Sequence, residues 1–217
     1  MFVHKPRYRF LYAGVLFLSL YYALTLYINS SLLATFFNQK IIDSLYMAGS
    51  VVTVFMLVFS NRLIRRFNIW KLMLWGIALE IIALLTLGFS HDPNIIKIAF
   101  IAHQAIPPLL GFNMDLFFEG TLETQKDTEK VRSFYLTFSN TAFVIAPLMV
   151  GLLINDGSFA NVYLLSALFL SILWLLIKDV FKNVHPKKYR QKEFFASLRV
   201  FLKRKNLKNI FLVNFIL

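Results

Sequence analysis

The sequence predicts an all-α, polytopic membrane protein with six transmembrane helices. Of its 217 residues, 58% are hydrophobic and only 16% are charged, and the mean hydropathy is +0.64. A soluble domain has about 45–50% apolar and about 25% charged residues, and a chain of this size offers too few buried positions for the excess. The apolar residues fall into six segments of spanning length, and the basic residues lie between them.

Charges, prolines and turn residues mark the ends of the six segments. The predicted helices cover about 10–28, 44–61, 69–89, 95–118, 131–154 and 160–177. A polar-leaning loop, 29–43, separates the first two helices, and a charged loop, 119–130, follows the fourth. Pro93 and its neighbours cannot continue a helix, whereas the break at Pro107 and Pro108 is tolerated where neighbouring helices satisfy the freed carbonyl groups.

The distribution of basic residues predicts the topology. Of the 23 Lys and Arg residues, all but Lys40 and Lys97 lie on one side of the predicted segments. Because Lys and Arg collect on the cytoplasmic side, both ends of the six-helix unit are expected in the cytoplasm. The expected location is the plasma membrane (the inner membrane of a bacterial cell), with the lipid bilayer as the main partner.

Several function classes are disfavoured. The net charge of +12 could indicate a nucleic-acid binder, but the basic residues sit between apolar runs, and no nucleic-acid partner is expected. Without cysteine there is no disulfide or thiolate metal site. No cofactor, nucleotide or metal motif and no Ser–His–Asp grouping is found. An enzyme is therefore not expected.

The six-helix bundle is assigned to residues 1–180, and a basic cytoplasmic loop to 181–209. Within that loop, apolar residues repeat at helical spacing, which is typical of an amphipathic helix lying on an anionic leaflet and equally of a solvated linker helix. Residues 210–217 are apolar but for Asn214 and reach only about 12 Å at about 1.5 Å per residue. They are interpreted as the truncated start of a seventh helix.

A family resemblance arises from this architecture and from two short stretches. The cationic turn at 61–68, Asn-Arg-Leu-Ile-Arg-Arg-Phe-Asn, is similar to the helix 2–3 turn of the major facilitator superfamily, Gly-x-Leu-Ala-Asp-Arg-x-Gly. It departs at Asn61 and Asn68, where the family has glycine, and at Arg65, where the family has the acid that holds its two halves together. The stretch 146–151, Ala-Pro-Leu-Met-Val-Gly, resembles a family motif on helix 5.

The resemblance implies two inverted three-helix repeats and a missing carboxy-terminal half of six helices. It also implies ion-coupled transport of a small solute by alternating access. The alternative is a non-transporting six-helix scaffold or assembly protein.

Candidate residues for a substrate or ion pathway lie within the spans. Glu80 is near the middle of helix 3, where a carboxylate must be protonated, paired or hydrated. His103 and Gln104 lie at a similar depth on helix 4, and an imidazole suits proton transfer near neutral pH. If Glu80 and His103 meet, they form a buried ion pair or share a proton. Tyr22 and Asn140 are assigned to the same pathway, and packed, hydrogen-bonded residues are the alternative interpretation throughout.

Two further groups are predicted at helix ends and interfaces. Asp115 and Glu119, one turn apart on helix 4, are expected to form ion pairs rather than to bind Mg²⁺, because no second acidic motif accompanies them. Their expected partners complete a gating cluster with Asn61 on the cytoplasmic side, namely Arg62, Arg65, Arg66 and Arg132. Pro147 and Gly151 are predicted to allow close helix packing.

Overall fold

The structure, a computed structural model, describes residues 6–121, 125–154, 158–180 and residue 182. The six helices are α1 (Pro6–Phe36), α2 (Gln39–Phe67), α3 (Ile69–Phe89), α4 (Pro93–Thr121), α5 (Gln125–Leu153) and α6 (Ala160–Val180). Each contains a span long and apolar enough to cross a membrane. The predicted all-α membrane fold is therefore confirmed. Apart from residue 182, the predicted loop at 181–209 and the stub at 210–217 lie outside the described residues.

Two connections are shorter than the sequence predicts. The loop expected at 29–43 is almost entirely helical, and the Asn29 side chain at its start is buried and hydrogen-bonded inside the protein, as described below. Only two residues separate α1 from α2, and Asn38 begins α2 by accepting a hydrogen bond from the Ile41 N–H at 3.1 Å. The loop expected at 119–130 is likewise helical outside 122–124, which are not among the described residues.

Asn68 alone separates α2 from α3. Its φ of 66° and ψ of 142° lie in a region that L side chains rarely adopt and glycine adopts freely. The Asn68 N–H donates to the Ile64 carbonyl at 3.0 Å, and its side chain accepts from the Trp70 N–H at 3.2 Å. Asn68 therefore ends one helix and begins the next. Its backbone geometry is one that glycine adopts freely and asparagine tolerates.

The helices pack in a pattern that maps onto itself when the two halves of the bundle are exchanged. α1 packs mainly on α5 and α6, α4 packs mainly on α2 and α3, and α3 packs on α6. Replacing α1, α2 and α3 by α4, α5 and α6 leaves this set of contacts unchanged. Because the two triplets are offset by three spans, they run in opposite directions, as in an inverted repeat. α1 is the most buried helix, and α2 and α5 are the most exposed.

Close helix approach occurs at Gly49 rather than at the predicted motif. A Cβ atom added to Gly49 on α2 would lie 2.7 Å from both Cβ and Cγ of Gln104 on α4. Gly151 on α5 has nothing within 4 Å of such an atom, and Pro147 is exposed. Pro147 and Gly151 therefore make no close helix contact among the described helices, and their packing role stays a prediction.

Substituting alanine for these two glycines should have opposite effects. Gly49→Ala places a methyl group against Cβ and Cγ of Gln104. Such overpacking lowers the free energy of unfolding by about 1–3 kcal/mol. Gly151→Ala has room and should be neutral or stabilising by up to about 1 kcal/mol through helix propensity. Thermal unfolding of the detergent-purified variants measures the difference. Equal midpoints for the two variants would contradict the close α2–α4 contact.

The backbone at Asn68 makes a second prediction. Asn68→Gly relieves strain and loses only a weak cap, so its unfolding midpoint should match or exceed that of the wild type. Asn68→Ala keeps the strain and loses the cap, which should cost about 1–3 kcal/mol. Denaturant unfolding followed by circular dichroism tests both variants. A less stable glycine variant would show that the connection does not need a positive φ.

A buried polar chain and an adjoining cavity as the candidate functional site

Four buried polar side chains from four helices form one hydrogen-bonded chain. Glu80 of α3 contacts His103 of α4 with 2.6 Å between Oε1 and Nδ1. The other ring nitrogen, Nε2, lies 3.1 Å from Nδ2 of Asn29 on α1. The Tyr163 hydroxyl of α6 donates to Oδ1 of Asn29 at 2.9 Å. The chain therefore joins both three-helix repeats at the centre of the bundle.

The surroundings of this polar chain are apolar and closed to solvent. Glu80 and Tyr163 are fully buried, and His103 and Asn29 are 1% and 4% exposed. Polar groups in such a place are costly unless each finds a partner. The packing of the four helices supplies those partners, since each of the four residues lies on the face that its helix turns towards the bundle interior.

The Asn29 amide determines where the imidazole proton lies. With the amide oriented as in the structure, Nδ2 donates a hydrogen bond and Nε2 of His103 must accept it. In the neutral ring the proton is therefore on Nδ1, which donates to Oε1 of Glu80. Placing a second proton on the ring would require the Asn29 amide to turn over, because Nε2–H and Nδ2–H cannot face each other.

The second carboxylate oxygen of Glu80 can hold a proton without any rearrangement. Oε2 is buried and has no hydrogen-bond partner among the described residues. An ionised Glu80 beside a neutral His103 leaves one negative charge in the apolar interior, which is unfavourable. One proton bound at Oε2 makes the whole chain neutral while every existing hydrogen bond is kept. The geometry is thus that of a single-proton site.

A cavity of about 310 Å³ adjoins this chain between α1, α4 and α5. Its wall begins at Pro107, one turn after His103 on α4. Tyr21 of α1 also lines it, and the buried Tyr21 hydroxyl has no hydrogen-bond partner in the described chain but lies within electrostatic range of Glu80. Tyr21 therefore stands between the cavity and the polar chain.

The cavity wall carries two polar contacts. Ser19 of α1 and Ser139 of α5 have their hydroxyl oxygens 2.9 Å apart. The Tyr135 hydroxyl of α5 donates to Oδ1 of Asp115 on α4 at 2.9 Å. The remaining lining is aromatic and aliphatic, and includes Tyr22. The cavity is therefore apolar with one carboxylate at its margin.

The structure separates the residues predicted to form one pathway. Glu80 and His103 meet in the polar chain, and Tyr22 lines the cavity. Gln104 instead packs on Gly49 of α2, while Asn140 is exposed and is not among the residues that line the cavity.

The sequence gives no local signal for the other two members of the polar chain. Asn29 falls in the predicted loop at 29–43, and Tyr163 is a tyrosine near the start of a membrane helix.

Within the described part of the chain, the predicted charge cluster shows no ion pairs. Among the described residues, Asp115 bonds to Tyr135, and Glu119 is exposed with no bonded partner. Arg62 and Arg66 lie over the rings of the adjacent Phe59 and Phe67, 5.3 Å and 5.4 Å from the ring centroids. The other predicted members, namely Asn61, Arg65 and Arg132, have no ion-pair partner in the described part of the chain. The exposed arginines at the end of α2 instead interact favourably with the negative end of its helix dipole.

The described residues contain no group of three or more His, Asp or Glu side chains able to hold a metal ion. Comparisons of the chain with protein-family models, with curated proteins and with solved structures found no match.

Removing the Tyr163 hydroxyl should destabilise the bundle. Tyr163→Phe leaves Oδ1 of Asn29 buried and unbonded, which costs about 1–3 kcal/mol. The matched control is Tyr22→Phe, because the Tyr22 hydroxyl makes no hydrogen bond in the described chain and its side chain is partly exposed. Thermal unfolding in detergent compares them. If both substitutions shift the midpoint equally, the polar chain does not stabilise the fold.

Proposed function

We propose that the chain is half of a secondary active transporter of the major facilitator type, which moves a small solute by alternating access and couples it to protons. The six spans and the self-mapping packing of the two triplets support a transporter repeat. The clustering of Lys and Arg supports a cytoplasmic amino terminus in the plasma membrane. A second six-helix half would complete the pathway.

The observation that carries the proposal is the 2.6 Å contact between Glu80 and His103. Intramembrane acids paired with histidine are rare and costly, and they mark proton pathways in pumps and transporters. This pair is also extended into both repeats, through Asn29 and Tyr163. A shift of one repeat against the other would stretch or break that chain.

Proton binding and helix movement are thereby linked. With Oε2 unprotonated, the chain holds a buried negative charge, and a conformation that admits water or a cation to Glu80 is favoured. With Oε2 protonated the chain is neutral, and the closed, dehydrated arrangement is favoured. A ligand can shift such an equilibrium only by its differential affinity for the two states. The proton has that differential affinity here.

The second candidate is a non-transporting membrane scaffold. The observation in its favour is that Glu80, His103 and Tyr163 are almost completely buried, as expected of a network that only specifies helix packing. In a scaffold, replacing these residues would lower stability without changing any proton-dependent property.

Proton coupling is tested by solute uptake into proteoliposomes that contain the full chain with its completing half. A screen of small solutes under an imposed pH gradient identifies a transported compound. Glu80→Gln and His103→Gln should then reduce gradient-driven uptake by about 5- to 150-fold, the usual range of a coupling free energy. Counterflow exchange of labelled for unlabelled solute needs no proton movement and should persist.

Exposed residues of the same types provide the controls. Glu129→Gln on α5 and His91→Gln in the α3–α4 turn change the same chemical groups outside the polar chain, so they should leave uptake unchanged. Unaltered gradient dependence in Glu80→Gln and His103→Gln would overturn the coupling role. An absence of uptake for every solute, together with lower unfolding midpoints for these two variants, would favour the scaffold.

A further inference from the structure

The cavity between α1, α4 and α5 has a mostly apolar lining that contains a single charged side chain. Asp115 is the only formally charged residue among the described residues that line it. Most of the other lining side chains are aliphatic or aromatic, with Tyr22 and Phe143 meeting edge to face, ring centroids 6.2 Å apart. An apolar site with one carboxylate favours a ligand that carries a positive charge on an apolar body.

Asp115 lacks a cation in the described part of the chain. Its Oδ1 accepts from the Tyr135 hydroxyl, and Oδ2 has no hydrogen-bond partner among the described residues. Arg132, three residues before Tyr135 on α5, makes no ion pair with it. Asp115 lies six residues before the end of α4, about 9 Å along the helix. The Asp115 side chain is exposed, so a cationic ligand in the cavity can reach its carboxylate, and the opposite charges would attract each other.

Aromatic faces add a second attraction for the same class of ligand. Tyr22, Tyr135 and Phe143 all line the cavity, and a cation is drawn to the face of an aromatic ring within about 6 Å. An anion would be repelled by the Asp115 carboxylate and by the electron-rich faces of these rings. A neutral apolar solute would leave Oδ2 of Asp115 without a partner. Charge and aromatic lining therefore select the same ligand.

We propose that this cavity binds a small organic cation, an amine or quaternary ammonium compound with an apolar body, with Asp115 as its counter-ion. The cavity volume of about 310 Å³ is near the lower end of the usual range of about 300–1,000 Å³, so the ligand is small. The inference rests on the proposed function in one respect, since it names the class of solute that the transporter would carry. Binding itself needs no proton gradient.

Equilibrium binding to the purified full chain in detergent tests the proposal. Isothermal titration calorimetry with benzyltrimethylammonium is compared with benzyl alcohol and benzenesulfonate, a neutral and an anionic probe with an aromatic ring. The wild type should prefer the cation over both by at least about tenfold. This comparison requires no variant. An equal or greater affinity for the neutral or anionic probe, or no saturable binding of the cation, would overturn the proposal.

Two variants then locate the site. Asp115→Asn keeps the size of the side chain and should lower the affinity for benzyltrimethylammonium by at least about tenfold. Asp179→Asn changes an exposed acid at the end of α6 and should leave the affinity unchanged. Circular dichroism and gel filtration establish that both variants are folded. Cation binding that survives in folded Asp115→Asn would overturn the assignment of the site.

The outcome separates this inference from the proposed function. Cation binding that depends on Asp115, combined with uptake that ignores the pH gradient, would support the site and reject the coupling. Gradient-driven uptake of an anion or a neutral solute that requires Glu80 would support the coupling and reject the cation site.

Discussion

The structure depends on one constraint: a carboxyl group at the centre of an apolar helix bundle is costly unless it finds a hydrogen-bonding partner or binds a proton. Glu80 meets this constraint through His103, which in turn depends on Asn29 and Tyr163. These residues come from α3, α4, α1 and α6, so four of the six helices are positioned by a single set of hydrogen bonds. The two remaining helices, α2 and α5, are the most exposed. The polar chain thus defines which helices are central and which are peripheral.

The polar chain and the cavity lie one after the other along the length of α4 rather than side by side. His103 belongs to the chain, and Pro107, one turn later, already belongs to the cavity wall. Tyr21 touches both environments, since its ring lines the cavity and its hydroxyl lies near Glu80. A ligand in the cavity can therefore influence the proton site through one aromatic side chain and one helical turn, without long-range coupling.

The sequence predicts the helices well because hydropathy and charge act locally, and the third helix, Ile69–Phe89, has the predicted bounds. The helical structure of 29–43 could not be predicted, because the side chain of Asn29 is polar and yet buried inside the bundle. Its partner atoms come from α4 and α6, 74 and 134 residues away. Asp115 shows the same limit: Arg62, Arg65, Arg66 and Arg132 seemed suitable partners by level in the membrane, but the neighbour is Tyr135. The sequence predicts the level of a residue along its membrane-spanning helix. The helix face that contacts a neighbouring helix depends on tertiary packing.

The unpartnered Oε2 atom of Glu80 has a consequence for energetics across a membrane. In the proposed transporter, a site with a single vacant oxygen would bind one proton per cycle, and the geometry of one carboxylate would then set the proton stoichiometry. Exchange of one proton for one monovalent organic cation moves no net charge. Such a carrier would respond to the pH difference between compartments and would be insensitive to the membrane voltage.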